Sequence, residues 1–295
     1  MKIAFLGLGK MGMAVARRMR DSGADMIVWN RSAKSAADLA MKVAATPAEA
    51  VAGSDVVFTM LNDDEAVRDV VLGDGGVAAA MASGAIHVSL STISVQLSER
   101  LTEEHRERGQ IFVAAPVFGR PNVAEAGKLW IAVAGDAAAI ERIRPLLETA
   151  SRGITVVGTE PRQAHALKLG GNFLITSMIQ GLSEAFVFAS ANGIDPAVFL
   201  ETVNSALFQS PFYAGYGKVM LEPPPQPGAT IALGIKDMGL LLDAARAEGV
   251  RLPLAEDLAR KLQLASEAGL TREDWAVGQY RLAQSLSTSK SPGQS

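Results

Sequence analysis

Cysteine is absent from this 295-residue sequence. Its absence excludes disulfide bonds, thiolate metal ligands and a cysteine nucleophile, and it fits a reducing cytoplasm, where we expect the protein to work. An excess of positive charge is missing too, since 28 lysines and arginines face 31 aspartates and glutamates, for a formal net charge of −3. Without a basic field the chain has no electrostatic means of holding nucleic acid or an anionic membrane surface, so neither partner is expected.

Long apolar runs are also missing. None approaches the ~20 uninterrupted apolar residues of a membrane-spanning helix, and Gly7, Gly9 and Lys10 interrupt the opening run too early for a secretion signal. His87 and His105 lack partners at metal-ligand spacing, and the acidic stretch NDDE at 62–65 is typical of a solvated helix start. We therefore expect no membrane span, no signal peptide and no metal.

What the sequence does contain is a βαβ rhythm from residue 2 to about 158. Amphipathic stretches alternate with nearly continuous apolar runs, as in strands covered by helices on both faces: KIAFL, DMIVW, DVVFTM, AIHVSL, QIFVAA, KLWIAVAG and ITVVG. This pattern predicts an α/β fold with an N-terminal Rossmann-type domain, a doubly wound parallel sheet, over residues 1–160.

Beyond Gly158 the pattern becomes helical. The segment from Arg162 to Asn192 predicts one helix of about 45 Å, at ~1.5 Å per residue, long enough to join two domains. Residues 161–295 are predicted to form an all-helical C-terminal domain that begins with this interdomain helix. The tail, from about 286 to 295, is predicted to be disordered.

The stretch GLGKMG follows the first predicted strand and opens a helix. In such a context Gly7 permits a tight turn, Gly9 lets the backbone approach a pyrophosphate, and Gly12 permits close helix-to-strand packing. We expect the whole stretch to bind a dinucleotide, through Gly7, Leu8, Gly9, Lys10, Met11 and Gly12. The alternative is a glycine-rich turn without a ligand.

The end of the second predicted strand indicates which dinucleotide. Enzymes that prefer NAD usually carry an acidic residue there for the ribose 2′-hydroxyl, whereas this chain has Asn30 followed by Arg31. A guanidinium, with Ser32 and Lys34 beside it, suits a 2′-phosphate, so we expect NADP(H). A solvated surface arginine is the alternative.

Four stretches spread over the chain resemble the β-hydroxyacid dehydrogenase family, which includes 3-hydroxyisobutyrate dehydrogenase and the glyoxylate and succinic semialdehyde reductases: GLGKMGMAVARRM, APVFGRPNVAEAGKL, KLGGN and KDMGLLLDAA. The resemblance implies that Ser91 and Thr92 lie near the nicotinamide and that Lys236 contacts the cofactor. Lys236 is expected to begin a helix, where its charge opposes the helix dipole and so suggests another purpose; a merely exposed lysine is the alternative. Further cofactor contacts are expected at Met60, Leu61 and Asn62.

The resemblance also gives Lys168 the role of general acid, and the chemistry supports it. Carbonyl reduction needs a proton for the developing alkoxide, and a lysine whose pKa is lowered by partial burial can donate one. Asn172, at i+4, shares its helix face and can orient the ammonium or the substrate. The alternatives are a lysine that extends to solvent from the helix edge and, as a rival acid, His165.

One stretch departs from the family pattern. The family commonly has D-x-P-V-S-G-G, whose serine holds a substrate carboxylate, whereas this chain has AAPVFGR. If Arg120 points inward, it can bind an acid, which the retained glycine and backbone donors favour; if it points outward, Phe118 favours uncharged aldehydes. The expected substrate contacts are Phe118, Gly119, Arg120, Phe212 and Tyr213. The last two come from the aromatic-rich FQSPFYAGY, which core or subunit-interface packing explains equally well.

These observations together predict an NADP(H)-dependent oxidoreductase that transfers hydride to or from a small hydroxyacid, semialdehyde or aldehyde between its domains. The alternatives are an imine reductase, which the retained Lys168 disfavours, and a non-catalytic NADPH-binding protein. Family members are dimers or tetramers, so we expect a homodimer or homotetramer.

Overall fold

The computed structural model describes residues 1–32 and 41–288. All seven predicted strands are present: β1 (Ile3–Leu6), β2 (Met26–Trp29), β4 (Val56–Thr59), β5 (Ile86–Ser89), β6 (Ile111–Ala114), β8 (Leu129–Ala134) and β9 (Ser151–Gly158). Two short strands, β3 (Lys42–Val43) and β7 (Val117–Phe118), complete a sheet in the order β3-β2-β1-β4-β5-β6-β8-β7, with β9 beside β8. The pairings from β3 to β6 are parallel, which confirms the doubly wound prediction.

The sequence did not reveal β3 and β7 because each has only two residues, too few for an alternating or continuous apolar pattern. Strand β7 also follows Pro116 directly and pairs antiparallel with β8. It nevertheless fixes the backbone of the segment that departs from the family pattern.

Helices cover both faces of this sheet: α1 (Lys10–Asp21), α2 (Pro47–Val51), α3 (Asp64–Val67), α4 (Val77–Ala80), α5 (Val95–Glu107), α6 (Pro121–Glu125) and α7 (Ala137–Glu148). Side chains of Thr46, Asp63, Ser94 and Asp136 accept hydrogen bonds from the first turns of α2, α3, α5 and α7. Two apolar clusters result. Phe5 and Phe58 lie in one, and Leu6 and Leu101 lie in the other. The sheet is therefore apolar on both sides, as its continuous runs predict.

Helix α8 runs from Pro161 to Ala191, close to the predicted 162–192. The chain divides into two units between Leu169 and Gly170, inside this helix rather than near residue 160. The reason is that the first turns of α8 belong to the sheet unit, where Ala164 joins a buried cluster with Ala114 and Ala134. By length and composition alone α8 is apolar enough to cross a membrane, a test that core helices of soluble proteins also pass.

The second unit, described as far as residue 288, is helical: α9 (Pro196–Val203), α10 (Pro211–Leu221), α11 (Ile231–Ala247), α12 (Pro253–Ala265) and α13 (Trp275–Thr288) follow the rest of α8. Phe186 of α8 is buried there and meets the rings of Phe199 and Tyr280 edge-on. The tail predicted to be disordered begins as the end of α13, which continues to Thr288, and residues 289–295 lie outside the described residues.

Candidate active site

The glycine-rich turn between β1 and α1 has the backbone that its motif requires. Gly7 has a φ of +99°, and a Cβ there would lie 2.3 Å from the carbonyl oxygen of Met60. A Cβ on Gly12 would lie 1.9 Å from the carbonyl oxygen of Gly7. Gly9 differs, because a Cβ on it would meet nothing within 4 Å. Packing therefore demands glycine at two of the three positions and leaves the third open to a ligand.

Gly9 is also the N-cap of α1, which no side chain caps. The N–H groups of the first helical turn thus face the glycine-lined space, an arrangement that suits an anion. Leu8 is buried, Met11 is half-buried and Lys10 is exposed beside this turn. The turn fits the diphosphate of a dinucleotide.

Asn30 connects this turn to the end of β2. Its Oδ1 accepts a 2.9 Å hydrogen bond from the N–H of Leu8, and its Nδ2 donates a 3.0 Å bond to the carbonyl of Ser32. Arg31 and Ser32 are exposed beside it, whereas Lys34 lies outside the described residues. Asn30 therefore fixes the local backbone, and Arg31 remains accessible to solvent.

The segments after β4 and β5 are tied together. The N–H of Leu61 donates a 2.8 Å hydrogen bond to Oγ of Ser91, between the segments that also carry Met60, Asn62 and Thr92. Asp64, from the stretch that the sequence assigned to a solvated helix start, accepts bonds from the N–H and hydroxyl of Ser94, at 2.9 and 2.5 Å. Ser94 in turn caps α5. The acidic stretch thus holds the turn at 91–94 in place, a long-range role that local spacing could not show.

Lys168 lies on α8 with only 8% of its surface exposed. Its Nζ lies 4.3 Å from the ring centroid of Phe118, within cation–π distance. The sequence placed these two residues in one site for separate reasons, and the structure brings them into contact. The lysine is thus buried, and it does not extend to solvent from the helix edge.

The segment that carries Phe118 has a rigid backbone. Gly119 has a φ of +141°, and a Cβ on it would lie 2.6 Å from Cδ2 of Leu129. Arg120 is half-buried at the N-cap of α6. The backbone of the family motif therefore persists while its serine hydroxyl does not.

His165, the rival acid, is completely buried one turn before Lys168. Its Nδ1 lies 2.9 Å from Oγ of Ser98. Burial lowers the pKa of His165 to about 3, and a backbone interaction with Ser91 only partly opposes this shift. This low pKa favours the neutral imidazole at neutral pH, which disfavours His165 as a general acid.

The other two histidines, which the sequence left without partners, bond to each other. His87 Nδ1 lies 2.8 Å from His105 Nε2, His87 Nε2 lies 2.9 Å from Oγ1 of Thr59, and His105 Nδ1 lies 2.6 Å from Oε1 of Gln110. Gln110 Nε2 donates to two main-chain carbonyls, so its Oε1 must accept. This assigns one direction to the whole series of hydrogen bonds: His105 donates to Gln110, His87 donates to His105, and Thr59 donates to His87.

Both histidines of this buried series of hydrogen bonds are neutral. Burial, followed by the nearby His105, lowers the pKa of His87 well below 6.5. Burial also lowers the pKa of His105 to about 4, although the hydrogen bond that His105 donates to Gln110 partly opposes this shift. A residue spacing of 18 along the chain gives no sequence signal for such a pair, which forms because β5 and α5 pack together.

In the second unit, Asn172 and Lys236 meet at a residue that the sequence did not single out. Asn172 Nδ2 donates a 2.6 Å hydrogen bond to Oδ2 of Asp237, and Lys236 Nζ lies 3.1 Å from Oδ1 of the same carboxylate. Asp237 is 2% exposed. The sequence signal that could have revealed Asp237 was its position directly after Lys236, a predicted cofactor contact.

The prediction that Lys236 begins a helix is wrong. Helix α11 begins at Ile231, because Thr230 caps it by accepting from the N–H of Leu233. Lys236 therefore lies in the second turn, and the argument from the helix dipole fails. Its ion pair with Asp237 accounts for its position instead.

The aromatic residues of FQSPFYAGY form two stacked pairs in the second unit. Phe208 stacks on Tyr213 with ring centroids 4.1 Å apart, and Phe212 stacks on Tyr216 at 6.1 Å. Between the pairs Gln209 has a left-handed φ of 44°. These contacts account for the aromatic density by packing, and a substrate role for Phe212 and Tyr213 stays a prediction.

Residues 1–32 and 41–288 contain no group of three His, Cys, Asp or Glu side chains that could hold a metal ion. The arrangement around Lys168 instead offers an ammonium beside an apolar ring. Such a set can transfer a proton and stabilise a developing oxyanion.

Comparison with known proteins gives this arrangement its family. Residues 2–158 match the NAD-binding domain of 6-phosphogluconate dehydrogenase, and residues 163–278 match the NAD-binding region of NADP-dependent 3-hydroxyisobutyrate dehydrogenase. The chain belongs to the β-hydroxyacid dehydrogenase family. It is thus an NAD(P)-dependent oxidoreductase of the hydroxyacid dehydrogenase type.

Individual members of the family extend over nearly the whole chain. An uncharacterized oxidoreductase of Bacillus subtilis, YfjR, is 42% identical over 94% of this chain and 98% of its own length. Glyoxylate/succinic semialdehyde reductase 2 of Arabidopsis thaliana is 31% identical over 93% of this chain and 77% of its own. The solved structure of Psf3 with NADP+ and 2-OPP has a TM-score of 0.86 at 26% identity, and the match covers 95% of this chain and 99% of that one.

Proposed function

We propose that this β-hydroxyacid dehydrogenase is an NADP(H)-dependent reductase of small carbonyl compounds, with Lys168 as its general acid. The observation that carries the proposal is a buried ammonium 4.3 Å from the ring of the segment expected to bind substrate. When bound, the nicotinamide supplies the hydride. Lys168 supplies the proton from Nζ to the carbonyl oxygen and stabilises the negative charge that develops there.

Asn172 and Asp237 support this role. Because Asn172 Nδ2 donates to Asp237, its amide has a fixed orientation in which Oδ1 is the acceptor. A fixed acceptor four residues after Lys168 on one helix can orient an ammonium or a substrate hydroxyl. Lys236, held by the same carboxylate, is proposed as a contact to the cofactor.

The residues that follow β2 support NADP(H) rather than NAD(H) as the cofactor. No carboxylate occupies position 30, and the amide of Asn30 is committed to Leu8 and Ser32. Arg31 and Ser32 are exposed, so they can approach a 2′-phosphate. The NADP+ bound to Psf3, a relative with the same fold, supports this choice.

The proposal is tested by following the absorbance of NADPH and NADH with a panel of aldehydes, semialdehydes and 2-oxoacids. We expect carbonyl-dependent oxidation that is faster with NADPH at equal cofactor concentration. A protein that binds NADPH but oxidises it with no member of the panel would support the non-catalytic alternative instead.

The imine reductase alternative has one observation in its favour, since Phe118 replaces the hydroxyl that would anchor a carboxylate. A cyclic imine in the same panel separates the two functions. The presence of Lys168 favours a carbonyl substrate over an imine, because a nearby ammonium stabilises an oxyanion more than it stabilises a forming amine.

We also propose that the protein is a homodimer or homotetramer assembled through α8. Leu174 and Phe188 are 66% and 69% exposed, and with Gly181 between them they recur every seven residues. Such a repeat keeps an apolar stripe on one side of a helix, where it matches the same stripe on a second copy. Location in the cytoplasm and a small molecule as sole substrate remain expectations.

Light scattering after gel filtration without detergent tests the assembly. Leu174→Glu should dissociate the oligomer, whereas Leu207→Glu, an equally exposed leucine outside the stripe, should not. A monomeric wild type, or one that needs detergent to stay in solution, would contradict the proposal and point to a membrane as the partner of α8.

A further inference from the structure

We infer that Phe118 is a specificity-determining residue that rejects substrates with a carboxylate directly on the carbonyl carbon. The inference rests on the proposed function and narrows it. Neutral aldehydes, and semialdehydes whose carboxylate lies farther along the chain, become the preferred substrates. Compounds such as glyoxylate become poor ones.

The ring has a defined position. Phe118 lies on β7, directly opposite Trp130 of β8, and Val117 before it is buried opposite Ile131. Gly119 after it has no room for a side chain, since a Cβ would approach Leu129 at 2.6 Å and Val123 at 3.1 Å. The backbone on both sides of Phe118 is therefore constrained, and its ring lies 4.3 Å from Lys168 Nζ.

The contact with Lys168 determines what the ring can accept. An aromatic ring carries partial negative charge on its face, which attracts the ammonium 4.3 Å away and repels an anion. A carboxylate placed against the ring would also lose water and gain no hydrogen bond from the ring, while Lys168 Nζ is engaged with the carbonyl oxygen. The surface of the ring beside the proton donor therefore suits an apolar group.

The reaction geometry brings the substrate to this position. A proton donor must lie roughly 3 Å from the carbonyl oxygen, so an atom bonded to the carbonyl carbon falls within a few ångströms of Lys168 Nζ. In glyoxylate that atom is the carboxylate carbon. In a semialdehyde it is a methylene, which the ring can contact without cost.

The chemistry is otherwise unchanged. The carbonyl carbon gains a hydride from NADPH, which leaves as NADP+, and the carbonyl oxygen gains the proton of Lys168. The lysine then recovers a proton from solvent. Phe118 takes no part in these transfers and acts only on which carbonyl compound can approach.

The test compares kcat/KM for glyoxylate, propanal and succinic semialdehyde in the wild type and in Phe118→Ser, Phe118→Leu and Phe118→Tyr. Wild type and Phe118→Tyr should prefer propanal and succinic semialdehyde to glyoxylate. Phe118→Ser should shift the glyoxylate-to-propanal ratio at least tenfold toward glyoxylate, mainly through KM. Phe118→Leu should keep the wild-type preference for propanal and succinic semialdehyde, because it keeps the apolar surface. NADPH affinity and thermal melting of each variant serve as controls.

The outcomes are separable. An unchanged ratio in Phe118→Ser, or a wild type that prefers glyoxylate, would overturn the inference and leave the proposed function intact. A wild type that binds NADPH yet reduces none of the three compounds would overturn the proposed function and the inference with it.

Discussion

Two loops of the sheet unit, residues 7–12 and 115–120, differ in how closely they match the family pattern. In the first, each glycine stands where the motif places it, and a Cβ at Gly7 or Gly12 would collide with main-chain oxygen. In the second, Gly119 keeps its strained backbone with a φ of +141°, but Phe118 stands where the family has a serine. Backbone requirements persist in both loops, and a side chain changes in only one.

The difference shows which functional assignments transfer between relatives. A dinucleotide is recognised largely through backbone N–H groups, so the glycine spacing carries its binding site from one chain to another. A small substrate is recognised through side chains, so its identity must be derived from the residues of this chain. The experiments below separate the two loops.

The largest expected effect is that of Lys168→Ala, which removes the proton donor and leaves the glycine loop untouched. Turnover should fall by about 10² to 10⁴, the range for loss of a general acid. NADPH affinity should change little, which a fluorescence titration would measure. A well-folded variant with near-normal turnover would remove Lys168 from the mechanism.

Acid should weaken the sheet unit beneath both loops, because it contains all three histidines of the chain. The pKa of His105 is about 4 and that of His165 about 3, and that of His87 is lowered well below 6.5. Folded pKa values below the unfolded value mean that the unfolded chain binds more protons, so stability present above pH 6.5 is lost as the pH falls.

Each histidine that stays neutral in the folded state costs about 1.4 kcal/mol per pH unit below 6.5, or about 4 kcal/mol for three at pH 5.5. Urea denaturation at pH 7.5 and 5.5 measures the loss. His165→Gln should lessen the pH dependence by about a third. A free energy of unfolding that is equal at both pH values would show that these histidines are not held neutral.

The sequence predicted the strands well because a sheet buried on both faces needs short, nearly continuous apolar runs, and it predicted α8 from a long helical pattern. Both are local features. It also placed Lys168 and Asn172 on one helix face, since a spacing of four residues is itself local. The features that it missed are tertiary contacts, which join residues far apart in the sequence. Asp237 became visible only through its contacts with Asn172 and Lys236.

The same reason explains the other misses. The bond from Asp64 to Ser94 joins residues 30 apart, and the pair of His87 and His105 forms between a strand and a helix. The predicted helix start at Lys236 was wrong for a different reason. The cap at Thr230 was present in the sequence and was overlooked.

Within the glycine loop, Gly12→Ala and Gly9→Ala form a matched pair. The first should destabilise the fold by about 3 kcal/mol, because its methyl group would collide with the carbonyl oxygen of Gly7. The second should leave stability unchanged, since its methyl group meets nothing, but should weaken NADPH binding by obstructing the diphosphate. Thermal melting and cofactor titration distinguish the two effects, and equal melting temperatures would contradict the packing role of Gly12.

A smaller effect is expected from Arg31→Ala at the end of β2. A charge-assisted contact to a 2′-phosphate contributes about 1.5 to 3 kcal/mol, which corresponds to a roughly ten- to hundredfold loss of NADPH affinity. NADH affinity should stay nearly constant, because NADH lacks that phosphate. Equal wild-type affinities for the two cofactors would reject the preference for NADP(H).

The smallest effect, and the most informative about the second loop, is expected from Arg120→Ala. Arg120 lies two residues after Phe118, at the N-cap of α6, and is half-buried. We predict that its guanidinium binds a carboxylate that lies away from the carbonyl carbon. A semialdehyde would then place its carbonyl at the lysine and its distant carboxylate at the arginine. The variant should raise KM about tenfold for succinic semialdehyde and much less for pentanal, a neutral aldehyde of similar length. Lys128→Ala, which removes a cation from the same sheet unit outside this loop, serves as the matched control. If the acid-to-neutral ratio of kcat/KM is the same in Arg120→Ala as in the wild type, Arg120 does not anchor the acid, and uncharged aldehydes become the substrate class that the phenyl ring selects.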